Sequence, residues 1–216
     1  MPDSYKATVS AVEPLTSGVV QLTLAVERRF SFAPGQSVVV HFPGCERTYC
    51  IASAPERPSA IQLCIRLGSG EGSDAVRGLV TGSSLTIDGP VGDFVMPADE
   101  KPLLLIGGDT GIAPIRSMVL HLAASGDKRS VTVFYEPSGE EELYQADLRP
   151  LAERGRFVYA VGDVNDSITR HQTEIAPSQV LAAGFEPFLT RVRKALGKSG
   201  LGETPATFET YGDAPH

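Results

Sequence analysis

The segment Leu103–Met118, LLLIGGDTGIAPIRSM, constrains the fold of this 216-residue chain more than any other. Its four leading apolar residues read as a short strand buried on both faces, which implies a sheet covered on both sides. After the glycine-rich turn, apolar Ile112, Ile115, Met118, Val119 and Leu122 fall at helical spacing, so a helix is expected between Gly111 and Gly126. Pro114 lies where a first helical turn tolerates proline, and Gly126 is placed to end the helix. Strand, tight turn and helix in this order bring backbone N–H groups and a helix N-terminus to the carboxyl edge of a parallel sheet. Dinucleotide phosphates dock at such an edge. The glycine spacing is not that of G-x-G-x-x-G.

The chain after this unit keeps alternating. VTVFY, RFVYAV and QVLAAG read as strands, and ELYQADLRPLAER and Phe185–Leu196 as helices, the last with Phe185, Phe188, Leu189, Val192 and Leu196 on one face. From Tyr5 to Asp88 the rhythm is different. Short β-branched bursts such as VVQLTLAV, SVVVHF, IQLCIRL and SLTID are broken by Gly and Pro turns, the pattern of an antiparallel barrel or sandwich. VMPADEKP reads as a linker, giving an N-terminal antiparallel β-barrel over residues 1–97 and a parallel Rossmann-like α/β domain over 98–216. The tail GDAPH is expected to fray.

Composition removes several classes of function. The 26 acidic against 19 basic side chains leave a net charge of -7, the wrong sign for a nucleic-acid binder. No apolar run reaches the roughly 20 residues of a membrane span, and MPDSYKATVS lacks the basic flank and apolar stretch of a signal peptide, so the expected location is cytoplasmic. Cys45, Cys50 and Cys64 are one thiolate short of an iron–sulfur or zinc set, so a redox cofactor would be organic. His41, His121, His171 and His216 share no ligand spacing, and no metal site is expected. No G-x-S-x-G elbow is present.

Three motifs in the N-terminal half carry possible chemistry. RTYCIAS, Arg47 to Ser53, reads as a strand with Arg47 and Cys50 on one face and Tyr49 on the other. It could pair a diphosphate with a guanidinium and stack a ring on an aromatic cofactor, or be an ordinary edge strand. GEGSDAV, Gly70 to Val76, opens a short helix whose backbone N–H groups and Ser73 hydroxyl suit an anion; it also reads as a plain loop with an N-cap serine. DGPVGDF, Asp88 to Phe94, reads as a turn that closes the barrel.

Taken in order, RTYC, GEGS, GPVGDF, GGDTGIAP, AAGFEP and the terminal Glu209-Thr210-Tyr211 resemble the ferredoxin-NADP reductase superfamily from Tyr5 to Tyr211. The resemblance implies a flavin-binding barrel and a pyridine-nucleotide domain, with hydride passing from NADH or NADPH to FAD, which is favoured over FMN. Electrons would pass onward to a ferredoxin, an oxygenase component or a small acceptor. By the same resemblance Arg47 would bind the flavin diphosphate, Tyr49 would pack on the isoalloxazine, and Gly72 and Ser73 would cap the phosphates. Thr110 and Gly111 would face the nicotinamide nucleotide, Gly184 would lie under the nicotinamide, and Tyr211 would cover the flavin. Tyr49, Cys50 and Tyr211 are then the candidate catalytic residues.

The chain also departs from the family pattern. Cys50 replaces the usual Ser or Thr beside the flavin, and a thiol is the weaker donor. It is read either as a tolerated small polar residue or as a redox group. Asp109 replaces a loop glycine where an anionic diphosphate would pass, and is expected to cap the following helix. Ala183 replaces a cysteine, Phe185-Glu186 replace prolines, and the segment from Gly162 to Pro177 is short. Glu136, at the end of VTVFY, can accept from a ribose 2′-hydroxyl and would repel a 2′-phosphate, which favours NADH. The function expected is a flavin-dependent NAD(P)H oxidoreductase. The alternative is an electron-transfer subunit, or a biosynthetic flavoenzyme, whose nucleotide site no longer oxidises NAD(P)H.

Overall fold

The computed structural model describes residues 2–56 and 59–211; the tail expected to fray, 212–216, lies outside the described residues. Its first half is a six-stranded antiparallel sheet, β1 (Asp3–Thr16), β2 (Val19–Val26), β3 (Ser37–Phe42), β4 (Cys45–Cys50), β5 (Ala60–Arg66) and β6 (Ser84–Val91), in the order β4-β3-β6-β1-β2-β5. An antiparallel bridge between Ile51 and Leu63 joins the two ends of that order, closing the sheet on itself. Period-two alternation turns Tyr5, Ala7, Val9, Leu22, Leu24, Val38, Val40, Leu63 and Ile87 into one core, which Val76 of α1 (Glu71–Arg77) also enters.

Two expectations for this half are corrected. Asp88–Val91 is not a turn but the end of β6, pairing with β1 at Gly89 and with β3 at Val91; only Gly92–Phe94 leaves the sheet. Arg47 and Cys50 do not share a face. Residues two apart do, and β4 pairs Arg47 with Val40 and Tyr49 with Val38, but Cys50 with Ser37. Arg47 and Tyr49 therefore share the face of Val38 and Val40, and Cys50 takes the other.

The second half is a five-stranded parallel sheet of β7 (Leu103–Gly108), β8 (Val131–Glu136), β9 (Val158–Val161), β10 (Gln179–Phe185) and β11 (Ala206–Tyr211), ordered β11-β10-β7-β8-β9. Every residue of β7 is buried. Leu103, Leu105, Val133 and Leu181 pack under α2 (Ile112–Ser125) and α3 (Gln145–Glu153) in a cluster that also takes in Val19, Ala52 and Cys64 of the barrel. Leu104, Ile106, Phe134 and Ala182 pack under α4 (Val164–Arg170), α5 (Gln172–Ile175) and α6 (Glu186–Lys198) on the other face. Burial on both faces is why β7, β8 and β10 are apolar runs and not alternations.

The α2 helix ends at Gly126 in a left-handed cap, as expected. The acidic run 140–142 does not start a helix. Tyr144 takes a left-handed φ of 59° before α3, and Glu142 accepts from Arg149 and from the Tyr159 hydroxyl. β11 was not foreseen; it adds to β10 with Glu209 beside Ala183 and Tyr211 beside Phe185.

Candidate active site

The carboxyl end of β7 meets the barrel across a cleft of about 280 Å³. Tyr49, Cys50 and Cys64 line it from the barrel, and Thr110, Ala113, Glu209 and Tyr211 from the parallel sheet. The turn that supplies Thr110 is held close by glycine. A Cβ on Gly111 would stand 2.0 Å from the Ala183 carbonyl oxygen, so only glycine lets β10 approach this turn.

Cys50 sits at the centre of a small polar chain. The Ser37 hydroxyl donates to its Sγ at 3.2 Å, and the thiol lies 3.9 Å from Glu209 Oε1. Burial pushes the Cys50 thiol up to about 12, and burial likewise raises the Glu209 carboxyl against the lowering effect of its contact with Cys50. Cys50 is therefore a neutral thiol, unsuited to nucleophilic chemistry. The Tyr211 ring packs edge-on to Phe185 with centroids 6.0 Å apart, and its buried hydroxyl has no hydrogen-bond partner among the described residues. Tyr49 packs edge-on to Phe42, and burial raises its phenol to about 12.

Arg47 leaves the same strand away from this cleft, against α1. A Cβ on Gly72 would lie 3.0 Å from Arg47 Nε, so the guanidinium and the helix start are in contact only because residue 72 has no side chain. Arg47 Nη1 donates to the Glu46 carbonyl, leaving most of its exposed fork to solvent. Ser73 is turned the other way: its Oγ accepts the Gly68 N–H. Its oxygen braces the loop.

A second cleft, of about 470 Å³, opens on the far side of the turn after β7 between Arg66, Asp109, Glu136, Phe188 and Arg191. The Phe188 ring occupies the space a Cβ would need on Gly184 or Gly108. Glu136 stands at the expected strand end, but its carboxylate is ion-paired with Arg191 and accepts the Val164 N–H at 2.9 Å. Asp109 does not cap the helix. It sits at a left-handed φ of 53°, its carboxylate pairs with both Arg66 Nε and Nη2, and it accepts from the Ser138 hydroxyl. A guanidinium fork outcompetes backbone N–H groups for a carboxylate.

The structure thus brings Tyr49, Cys50, Thr110 and Tyr211 together, places Glu136 in the adjoining cleft, and sets Arg47 and Gly72 apart on the barrel flank. Glu209, Arg66 and Arg116 were not among the expected site residues. The E-x-aromatic ending contained the signal for Glu209. Arg116 looks like a solvent-facing residue of α2, yet it is 7% exposed and joins both halves: Nη1 donates to the Ala52 carbonyl at 2.7 Å and to Gln62 Oε1 at 3.0 Å, while Nε donates to Asp147.

Comparison with known proteins gives this geometry its family. The model of the oxidoreductase FAD-binding domain matches residues 6–96. Over these residues the chain belongs to the oxidoreductase FAD-binding domain family, and as a whole it resembles the ferredoxin-NADP reductase superfamily. It is 33% identical over 149 residues to the phenol hydroxylase P5 protein of Acinetobacter pittii (strain PHEA-2), covering 67% of this chain and 42% of that protein. To the reductase component of propane 2-monooxygenase from Rhodococcus jostii (strain RHA1) it is 26% identical over 95% of this chain and 63% of the relative. The chain thus spans about two-fifths to two-thirds of these curated relatives. The fold matches the flavohem-like FAD/NAD-binding domain of nitric oxide dioxygenase from Vibrio cholerae with a TM-score of 0.86 at 19% identity, over 98% of this chain and all of that one. It matches phthalate dioxygenase reductase with a TM-score of 0.83 at 19% identity, over 98% and 70%.

The residues present fit FAD, the cofactor of this family. The buried Tyr211 hydroxyl has no partner among the described residues, and Tyr211 and Glu209 line a cleft between aromatic rings, as a heteroaromatic ring with hydrogen-bonding edges requires. The Arg47 fork over side-chain-free Gly72 suits a diphosphate.

Proposed function

We propose that the chain is a flavin-dependent reductase that accepts hydride from NADH, or less well NADPH, and delivers electrons to an oxygenase component, a ferredoxin or a small acceptor. One observation carries this reading: a single cleft lined by Tyr49 and Cys50 of the barrel and by Thr110, Glu209 and Tyr211 of the parallel sheet. FAD bound there would supply the hydride-accepting and single-electron chemistry. The protein's own part is placement and proton control. Arg47, with the backbone N–H groups of Gly72 and Ser73 at the start of α1, would hold the diphosphate; Tyr49 and Tyr211 would sandwich the ring and exclude water. The Glu209 carboxyl, raised by burial and in contact with the Cys50 thiol, can hold or release a proton at Oε1.

On the nucleotide side, Thr110, Gly111 and Gly184 would border the nicotinamide, and Glu136 the adenosine ribose. Arg191 beside Glu136 offsets part of the repulsion of a 2′-phosphate, so the preference for NADH is modest. The functional halves divide at residues 97 and 98, and the protein works in the cytoplasm. The competing reading, electron transfer without nucleotide oxidation, draws on the Arg66–Asp109 pair at the nucleotide turn. Anaerobic addition of NADH and NADPH to the FAD-loaded protein separates the two: reduction of the flavin by either supports a reductase, and no reduction by both supports the other.

A further inference from the structure

Arg66 leaves the end of β5 and reaches across the boundary between the two halves into three adjoining clefts. Its guanidinium stands at the turn after β7, and it is already taken. Asp109 from that turn engages it with both oxygens, while Ser138, from the turn after β8, accepts from Arg66 at 2.7 Å and donates to Asp109 at 3.0 Å. The three side chains close a ring made from three separate segments. Their burial is substantial, with the Arg66 and Asp109 side chains 22% and 11% exposed, so solvent screens the pair weakly. Asp109 adopts a left-handed backbone to reach it, a conformation that asparagine and aspartate tolerate better than most residues.

The same turn faces the cleft where the proposed function seats a dinucleotide. We propose, resting on that reading, that Asp109 is an affinity-setting residue, a resident carboxylate that occupies Arg66 in competition with the diphosphate of the incoming nucleotide. A diphosphate entering this cleft meets a negative charge at the turn and a cation whose donors are already used. It gains Arg66 only as Asp109 gives it up, with Ser138 positioned to follow either partner. The competition lowers affinity for nucleotide and leaves the turn ordered when the cleft is empty.

The test compares NAD+ and inorganic pyrophosphate binding by titration calorimetry to the FAD-loaded wild type, Asp109→Asn, Ser138→Ala and Arg66→Gln, with the limiting rate of flavin reduction and the melting temperature measured beside them. Asp109→Asn keeps the side-chain shape and the left-handed tolerance but removes the charge. It should lower Kd for both ligands about tenfold, equivalent to about 1.4 kcal/mol. Ser138→Ala should lower Kd by a smaller factor, and Arg66→Gln should raise it about tenfold. A merely structural role would instead lower the melting temperature and weaken binding in all three. Wild type that binds NAD+ with an Asp109→Asn Kd that is unchanged or higher overturns the competition and leaves the reductase reading standing. If neither wild type nor any variant binds NAD+ or pyrophosphate, the nucleotide site itself is refuted, and the competition with it.

Discussion

Replacing Arg116 by alanine should loosen the joint between the two halves, by an amount that follows from its partners. Two neutral acceptors, the Ala52 carbonyl and Gln62 Oε1, lose their donor. Leaving a buried acceptor unsatisfied costs about 1–3 kcal/mol. Asp147 is 41% exposed and rehydrates, so its ion pair adds little. A cavity of about 790 Å³ opens beside Arg116, and water entering it offsets part of the loss. The balance is about 3 kcal/mol, which for a chain of this length lowers Tm by about 6–12 °C. Thermal unfolding of FAD-saturated protein followed by circular dichroism reads the shift, and hydride transfer should slow because the joint aligns the two clefts. Arg116→Lys should recover only part, since one ammonium cannot reach three acceptors at fixed angles. A shift below about 2 °C for Arg116→Ala would refute the reasoning that this guanidinium is a principal tie between the halves.

Three further outcomes are expected. Cys50→Ser should retain flavin and match or exceed the wild-type rate of reduction in stopped flow, because a hydroxyl is the better donor at a site where Glu209 accepts and Ser37 donates; loss of activity would mean the thiol has chemistry of its own. Gly111→Ala places a methyl 2.0 Å from the Ala183 oxygen and should destabilise by about 1–3 kcal/mol while weakening nucleotide binding, whereas unchanged Tm would show that the turn has room. The Asp88 carboxylate, by hydrogen bonding, raises the His41 pKa above its ordinary value. That contribution is fully present below about pH 6.5 and is lost as pH rises through the raised value, so the pH dependence of Tm across this window should flatten in His41→Asn.

Where local pattern decided structure, the sequence was sufficient. The apolar run of β7, the helical spacing of α2 and the glycine at 126 are each dictated by near neighbours, and each stands where expected. Tyr49, Cys50, Thr110 and Tyr211, which come from motifs far apart in sequence, line one cleft. What failed depended on partners distant in sequence. Asp109 was expected to find the nearest donors, the N–H groups of its own helix, but Arg66 lies 43 positions away and offers a charged fork. Arg116 has the sequence context of an exposed helix residue and is buried only because the barrel packs over it. Alternation had the Arg47 and Cys50 faces available from the start, since three positions along a strand always cross the sheet. β11 is short and half exposed, and the adjacent polar pair Glu209 and Thr210 breaks its alternation, so only its pairing with β10 makes it a strand.

The most direct test of the reductase reading is anaerobic titration of the FAD-loaded protein with NADH while the visible flavin band is followed. Bleaching complete near one equivalent, with NADPH acting less well, is the predicted result. A flavin that dithionite reduces but that stays oxidised with both nucleotides would contradict it.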